Sequence, residues 1–346
     1  MRWIEKNIIY FLIIVAMVFR FKIPSFRTGY EFLFLHFATS VFSYHLYRKG
    51  HFEAAVFLLL CIISSFYPLA SVRSFQSLRV VFIGVGLYFL LSELDLDLEK
   101  MMNALFCGCL VHISFLVLKH YNIEPYLIYG MVTNSEGIGL TANPNEATAM
   151  LTLCAPAFFR PIFIYFSPLL LIGYMITGSF AGLVAIAAFL IVFLMYRKQW
   201  VCIVIAVLLL VYAYFTAENN PGTHRLQIWR DSIKAYFKDR SIFGYGLGHF
   251  QYVSKNLLIG GGTIETVARR AHNTFLQVWF EMGFPVIPII ISFIYRKIKA
   301  IVTVQHAYAA AGIIVCCNVN SAFRINGINA LIMILWIATI KRDRAA

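Results

Sequence analysis

The sequence predicts an all-α polytopic membrane protein, with about twelve transmembrane helices and one long outward-facing loop carrying amphipathic helices. Three observations predict it. Sixty per cent of the 346 residues are hydrophobic and only 13% are charged, far from the balance of a soluble globular chain. Apolar runs of about 15 to 20 residues recur, the length a helix needs to cross roughly 30 Å of hydrocarbon. One long polar stretch, 217–271, breaks that pattern.

The runs must be helices, because a backbone group left unpaired in lipid costs several kcal/mol. They fall near 4–19, 30–46, 53–69, 78–92, 101–118, 145–158, 161–177, 180–196, 200–216, 273–295, 300–317 and 326–340. The sixth and seventh are split by Arg160-Pro161. The first is followed by Arg20, Lys22 and Arg27 rather than a small-residue cleavage site, and reads as a retained anchor. Residues 1–346 read as a single membrane domain, with 217–271 as an outer module inside it.

Lys and Arg in the short loops set the orientation. With the N-terminus in the cytoplasm, that side collects 14 of the 29, including Arg48, Lys49, Arg197, Lys198, Arg296 and Lys297. The short outer loops collect 7, and the remaining 8 lie in the long loop, which the rule excludes. Both termini are expected inside and the long loop outside.

The seven cysteines all fall within expected spans, so the outer loop holds neither a disulfide framework nor a thiolate metal site. The net charge of +13 could suggest nucleic acid. The cations are instead spread along membrane borders, which points to anionic lipid headgroups and a phosphate-bearing substrate. "ELDLDLE" (93–99) contains the Asp-x-Asp of metal-using, nucleotide-sugar enzymes, but with no α/β domain around it this is a solvated acidic loop.

Within the outer module, "HRLQIWRDSIKAYF" puts Leu226, Trp229, Ile233, Tyr236 and Phe237 on one helical face, the pattern of a helix on a membrane surface. Thr223 can cap its start. "GYGLG" (244–248) and "IGGG" (259–262) supply turns, and the chain re-enters the membrane at His272. From there Asn273, Gln277 and Glu281 recur every four residues. In lipid such a polar face must turn inward, either for helix-to-helix hydrogen bonds or for substrate.

These residues carry a resemblance. The Arg225-x-x-x-Trp229 helix, the "GYGLGHF" turn and His272-Asn273 before Gly283, in the largest outer loop between the ninth and tenth spans, resemble the O-antigen ligase and polymerase superfamily. "GLTANPNEATAML" (139–151) and "TGS" (177–179) are similar to the family's earlier outer motifs. Two positions depart from it: Phe180 stands where an Arg commonly follows the "TGS", and Val286 stands where the ligase pattern continues with a second glycine. The first leaves open which arginines bind phosphate, the second whether the chain is ligase or polymerase.

The resemblance implies transfer of a glycan from an undecaprenyl-diphosphate carrier to an acceptor sugar hydroxyl, of lipid A core or of another glycan, without metal or cofactor. Such chemistry needs cations to hold the diphosphate, a task that suits bidentate Arg, and a group to take the hydroxyl proton, which suits His. His272 is the expected base or acceptor-positioning group and Arg225 the first diphosphate ligand. Arg269, Arg270, Arg73 and Arg324 are further candidates, and Asn273 and Asn145 are expected to orient sugars. Against these stand plainer readings: headgroup contacts for the arginines, helix caps for the asparagines, an interfacial histidine. A flippase or other transporter, and a non-catalytic assembly subunit, are the alternatives from other classes.

Overall fold

Long apolar runs with few internal Gly or Pro fold into helix after helix. The computed structural model describes residues 29–66, 72–94, 96–121, 144–198, 221–239, 242–259, 268, 270–301, 303–319 and 327–340, and among these there is no strand. The expected spans at 4–19 and 200–216 lie outside the described residues. In chain order the helices are α1 (Gly29–Arg48), α2 (Phe52–Ser65), α3 (Val72–Glu93), α4 (Leu98–His120), α5 (Pro144–Phe158), α6 (Ser167–Thr177), α7 (Phe180–Tyr196), α8 (Pro221–Asp239), α9 (Phe250–Asn256), α10 (Thr274–Met282), α11 (Val286–Lys299), α12 (Val304–Val319) and α13 (Gly327–Thr339). Two stretches, Ser74–Glu93 and Leu98–His120, are long and apolar enough by themselves to cross a membrane.

The chain forms two compact units. The first holds α4 to α7, α12 and α13. Its centre is α5, in which every residue from Glu146 to Phe158 is buried, with α4, α6, α7, α12 and α13 packed around it. Polar caps and ties fix the ends. Asp97 caps α4, accepting from Glu99 N (2.9 Å) and Lys100 N (3.2 Å), so part of the Asp-x-Asp stretch is a helix start. Arg160 turns the chain between α5 and α6 by donating to Asn103 and to Glu99 (2.8 Å). Trp336 donates through its indole nitrogen to Leu153 O (2.8 Å) in the core.

The second unit holds α1 to α3 and α8 to α11. α1 and α2 form a hairpin closed at Gly50, whose φ of 82° suits a residue without Cβ. α11 runs antiparallel to α2. At one end Glu53 accepts from Arg296 Nη1 (2.6 Å) and Ser292 Oγ (3.0 Å); towards the other, Cys61 and Ile62 pack with Met282 and Val286. The Glu53 end also brings His51 Nε2 to 3.4 Å from Glu93 Oε1 and Lys297 over the Tyr88 ring.

Three local expectations are corrected. The expected span 273–295 is two helices, because Gly283 and Pro285 break it and leave α10 only nine residues long. α8 begins at Pro221, so Thr223 sits inside its first turn rather than capping it; a proline with φ already helical starts the helix instead. The apolar arc of α8 is divided between burial and exposure. Ile228 and Tyr236 are buried with Trp229 packed beside them, whereas Leu226, Ile233 and Phe237 are exposed. A helix packed on the protein along one side and bare along the other has two apolar stripes, which a single-face reading merges.

Candidate functional site

The module formed by α8 to α10 is assembled around α10. Tyr236, Phe250, Phe280, Ala268 and Ala271 form its buried core, with Trp229, Tyr245 and Trp279 packed against them. Tyr236 lies 4.3 Å from Trp279, and Tyr245 stacks on Phe280 at 4.5 Å. Burial raises the Tyr236 phenol above its ordinary pKa, so it stays a donor, here to Ile242 O (3.2 Å).

The glycine turn is stitched to α10 by its own N–H groups. Tyr245 N donates to Phe280 O (3.1 Å), Gly246 N to Glu281 O (2.8 Å) and Leu247 N to Ser64 O (3.1 Å). Gly248 N and Phe250 N then donate to the Glu281 carboxylate at 2.8 and 3.4 Å, and Gln277 Nε2 adds a third bond at 3.0 Å. Glu281 is 1% exposed. A buried carboxylate needs such donors, so the lower part of the polar stripe turns inward, as expected, and serves structure. The turn's N–H groups face protein acceptors rather than a phosphate.

This contact needs two glycines. A Cβ on Gly283 would stand 2.1 Å from Ile242 O, and one on Gly244 2.6 Å from the Glu281 carbonyl; both residues have positive φ, 78° and 75°. The spacing of "GYGLG" and Gly283 is thus explained by two backbones crossing without room for a side chain.

The upper part of the stripe is the approach to α10. Ser254 Oγ donates to Ala268 O (2.6 Å), Ala268 N to Ile259 O (3.0 Å), and Trp229 Nε1 to Ala271 O (2.8 Å). His272 follows with φ 51°, a left-handed conformation that costs a non-glycine residue on the order of 1 kcal/mol and is found where surrounding structure imposes it. It turns the chain so that Asn273 becomes extended and caps α10, accepting from Leu276 N (2.9 Å).

Arg225 stands one turn before Trp229 on the same side of α8, so the bond from Trp229 to Ala271 ties the helix bearing Arg225 to the residue next to His272. Arg225, Arg270, His272 and Asn273 are all half-buried. Arg73 lies in the first turn of α3, which meets the glycine turn where Ser74 Oγ is 3.5 Å from His249 Nδ1. Asn145 belongs to the first unit, where its Oδ1 accepts from Ser179 Oγ (2.8 Å) and Thr148 donates to Thr177 (3.0 Å), joining the "NPN" helix start to the "TGS" turn. Arg269 and Arg324 lie outside the described residues.

Residues 166–291 match the family model described as O-antigen ligase. The matched stretch is about a third of the chain. It contains the Arg225 helix, the glycine turn and the His272 corner, so the features that organise this module all fall inside the match. The match to a membrane family and the apolar helices make this a membrane protein. No curated protein matches the chain. Within the matched segment, sequence reading missed what Glu281 does, since a periodic Glu looks the same whether it meets ligand or backbone. It also missed the indole bond of Trp229; the fixed Arg-x-x-x-Trp spacing was the available signal.

Proposed function

We propose that this chain transfers a glycan from undecaprenyl diphosphate to an acceptor sugar hydroxyl, that of lipid A core in the ligase reading, on the outer face of the bacterial inner membrane. The observation that carries this reading is the O-antigen ligase match over 166–291, with the helix of Arg225 bonded to the residue beside His272. Arg225 grips the diphosphate, with Arg270, Arg269, Arg73 and Arg324 as further cations. His272 takes the proton of the attacking hydroxyl or positions it, while Asn273 and Asn145 orient sugars. Growth of a carrier-linked glycan by polymerisation is the second reading, left open by Val286 in place of the second ligase glycine. Support for the outward orientation comes from Lys and Arg placement and from the second unit, where Arg296 and Lys297 cluster at the Glu53 end of α2 and the glycine turn meets its Ser64 end.

The test is transfer from purified undecaprenyl-diphosphate glycan to its acceptor. His272→Ala should retain normal abundance and lose about 10²-fold or more in rate, the scale of a lost general base; retained transfer sinks that role. Arg225→Lys should be nearly as inactive as Arg225→Ala, because an ammonium lacks the guanidinium fork. A headgroup contact, worth about 1 kcal/mol for either cation, would instead let Lys rescue. A lipopolysaccharide gel of a deletion strain separates the two readings: single-repeat caps mark a lost polymerase, and no caps a lost ligase.

A further inference from the structure

Polar side chains inside a membrane bundle are costly and call for a function. In the first unit they gather around the opening turn of α5 from three sides. From α13, Asn329 is 1% exposed and donates through Nδ2 to Glu146 O (3.1 Å). A carbonyl only accepts, so this bond fixes which arm of the amide is nitrogen, and Oδ1 is left buried without a donor. From α4, His112 is fully buried; it makes a loose contact to the Ala147 backbone, and among the described residues no hydrogen bond of full geometry reaches either ring nitrogen. From the turn between α6 and α7 come Ser179 on Asn145 and Thr177 on Thr148. Asn145 and Ser179 are half-buried, so the polar row runs from the edge of the unit to its interior.

The great majority of buried polar atoms in proteins are paired, so an unpaired amide oxygen and an imidazole held only by a loose backbone contact, beside one helical turn, point to a missing ligand group. A neutral imidazole offers one donor and one acceptor, and the amide oxygen accepts. A phosphate diester cannot donate and an ammonium cannot accept; a hydroxyl does both. We propose that His112 and Asn329, with Asn145 at the half-buried end, form a subsite for sugar hydroxyls on the first turn of α5. This rests on the glycan-transfer reading above and deepens it: the subsite holds a sugar of the glycan by neutral hydrogen bonds, in a unit of the chain separate from the one bearing His272. Contacts of this kind are equal in ground and transition states, so their loss raises KM and leaves kcat alone.

The probe is the oligosaccharide repeat unit released from the lipid carrier of the source cells, titrated into the full chain in nanodiscs. His112→Phe removes both ring nitrogens and keeps a ring. It should melt at or near the wild-type temperature, bind the oligosaccharide about three- to tenfold more weakly, the scale of one or two neutral hydrogen bonds, and raise KM for the glycan at constant kcat. His112→Gln, which keeps a donor and an acceptor, should restore most of the binding. A folded His112→Phe with wild-type binding overturns the subsite and leaves a structural water as occupant, as does a wild-type chain that binds no oligosaccharide. If the Phe variant does not fold, Asn145→Ala carries the same test, with weaker binding expected and unchanged binding fatal. Wild-type protein that binds the oligosaccharide but transfers nothing sinks the transfer reading and leaves the subsite standing.

Discussion

Glu281 illustrates how much one side chain can organise. Three donors converge on its buried carboxylate, two from the glycine turn and one from Gln277. Removing the acceptor strands those N–H groups without water. Glu281→Ala should therefore cost on the order of 3 kcal/mol or more, since hydrogen bonds to a charged partner contribute most, and thermal unfolding in detergent will read it. Glycine positions separate in the same assay. Gly283→Ala forces a Cβ onto the Ile242 carbonyl at positive φ and should abolish folded protein, whereas Gly86, helical and with nothing within 4 Å of an added Cβ, should accept Ala with up to about 1 kcal/mol of gain. Equal behaviour of the two alanines would refute the backbone-crossing account of Gly283.

Among the elements, α8 does two jobs on two faces. Ile228, Ser232 and Tyr236 face the module core, and the exposed side alternates Leu226, Ile233 and Phe237 with Arg230, Lys234 and Lys238. An indole bond from Trp229 to Ala271 O ties this helix to the residue beside His272. Trp229→Phe keeps the ring packing and deletes that bond. Abundance should hold while transfer falls about tenfold, because losing one neutral hydrogen bond of about 1 kcal/mol loosens the register between two parts that must act together. A Phe variant as active as wild type would show that Trp229 only fills space.

For the whole molecule the sharpest expectation is topology. In a background with native thiols blocked, cysteine at Gly261 should react with an impermeant maleimide from outside the inner membrane, and cysteine at Lys198 should not. The reverse pattern would invert the side on which the chemistry is placed. The polar end of the second unit, where Glu53 meets Arg296 and Ser292, belongs by the same orientation to the cytoplasmic border, and the glycine turn at Ser64 to the opposite one. A 14-residue α2 spans about 21 Å at 1.5 Å per residue, which separates those two ends by most of a hydrocarbon layer.

Helical class, the membrane setting and the family likeness of the His272 segment were legible in the sequence, because composition, run length and motif spacing are local properties that lipid and helix geometry constrain one residue at a time. The positions of most described helices, including the turn at Arg160-Pro161, followed from the same cause. What tertiary structure alone decided was which polar groups meet. Asn273, Gln277 and Glu281 share a period of four, yet the first caps its own helix, the second orients the third, and the third holds a turn more than thirty residues away in sequence. Likewise, periodicity could not tell that Trp229 faces inward and Leu226 outward, nor that Asn145 and Ser179 are partners, nor that His112 and Asn329 flank one turn of α5. Periodicity marks a face as polar or apolar, and only the packing of other helices determines what that face touches.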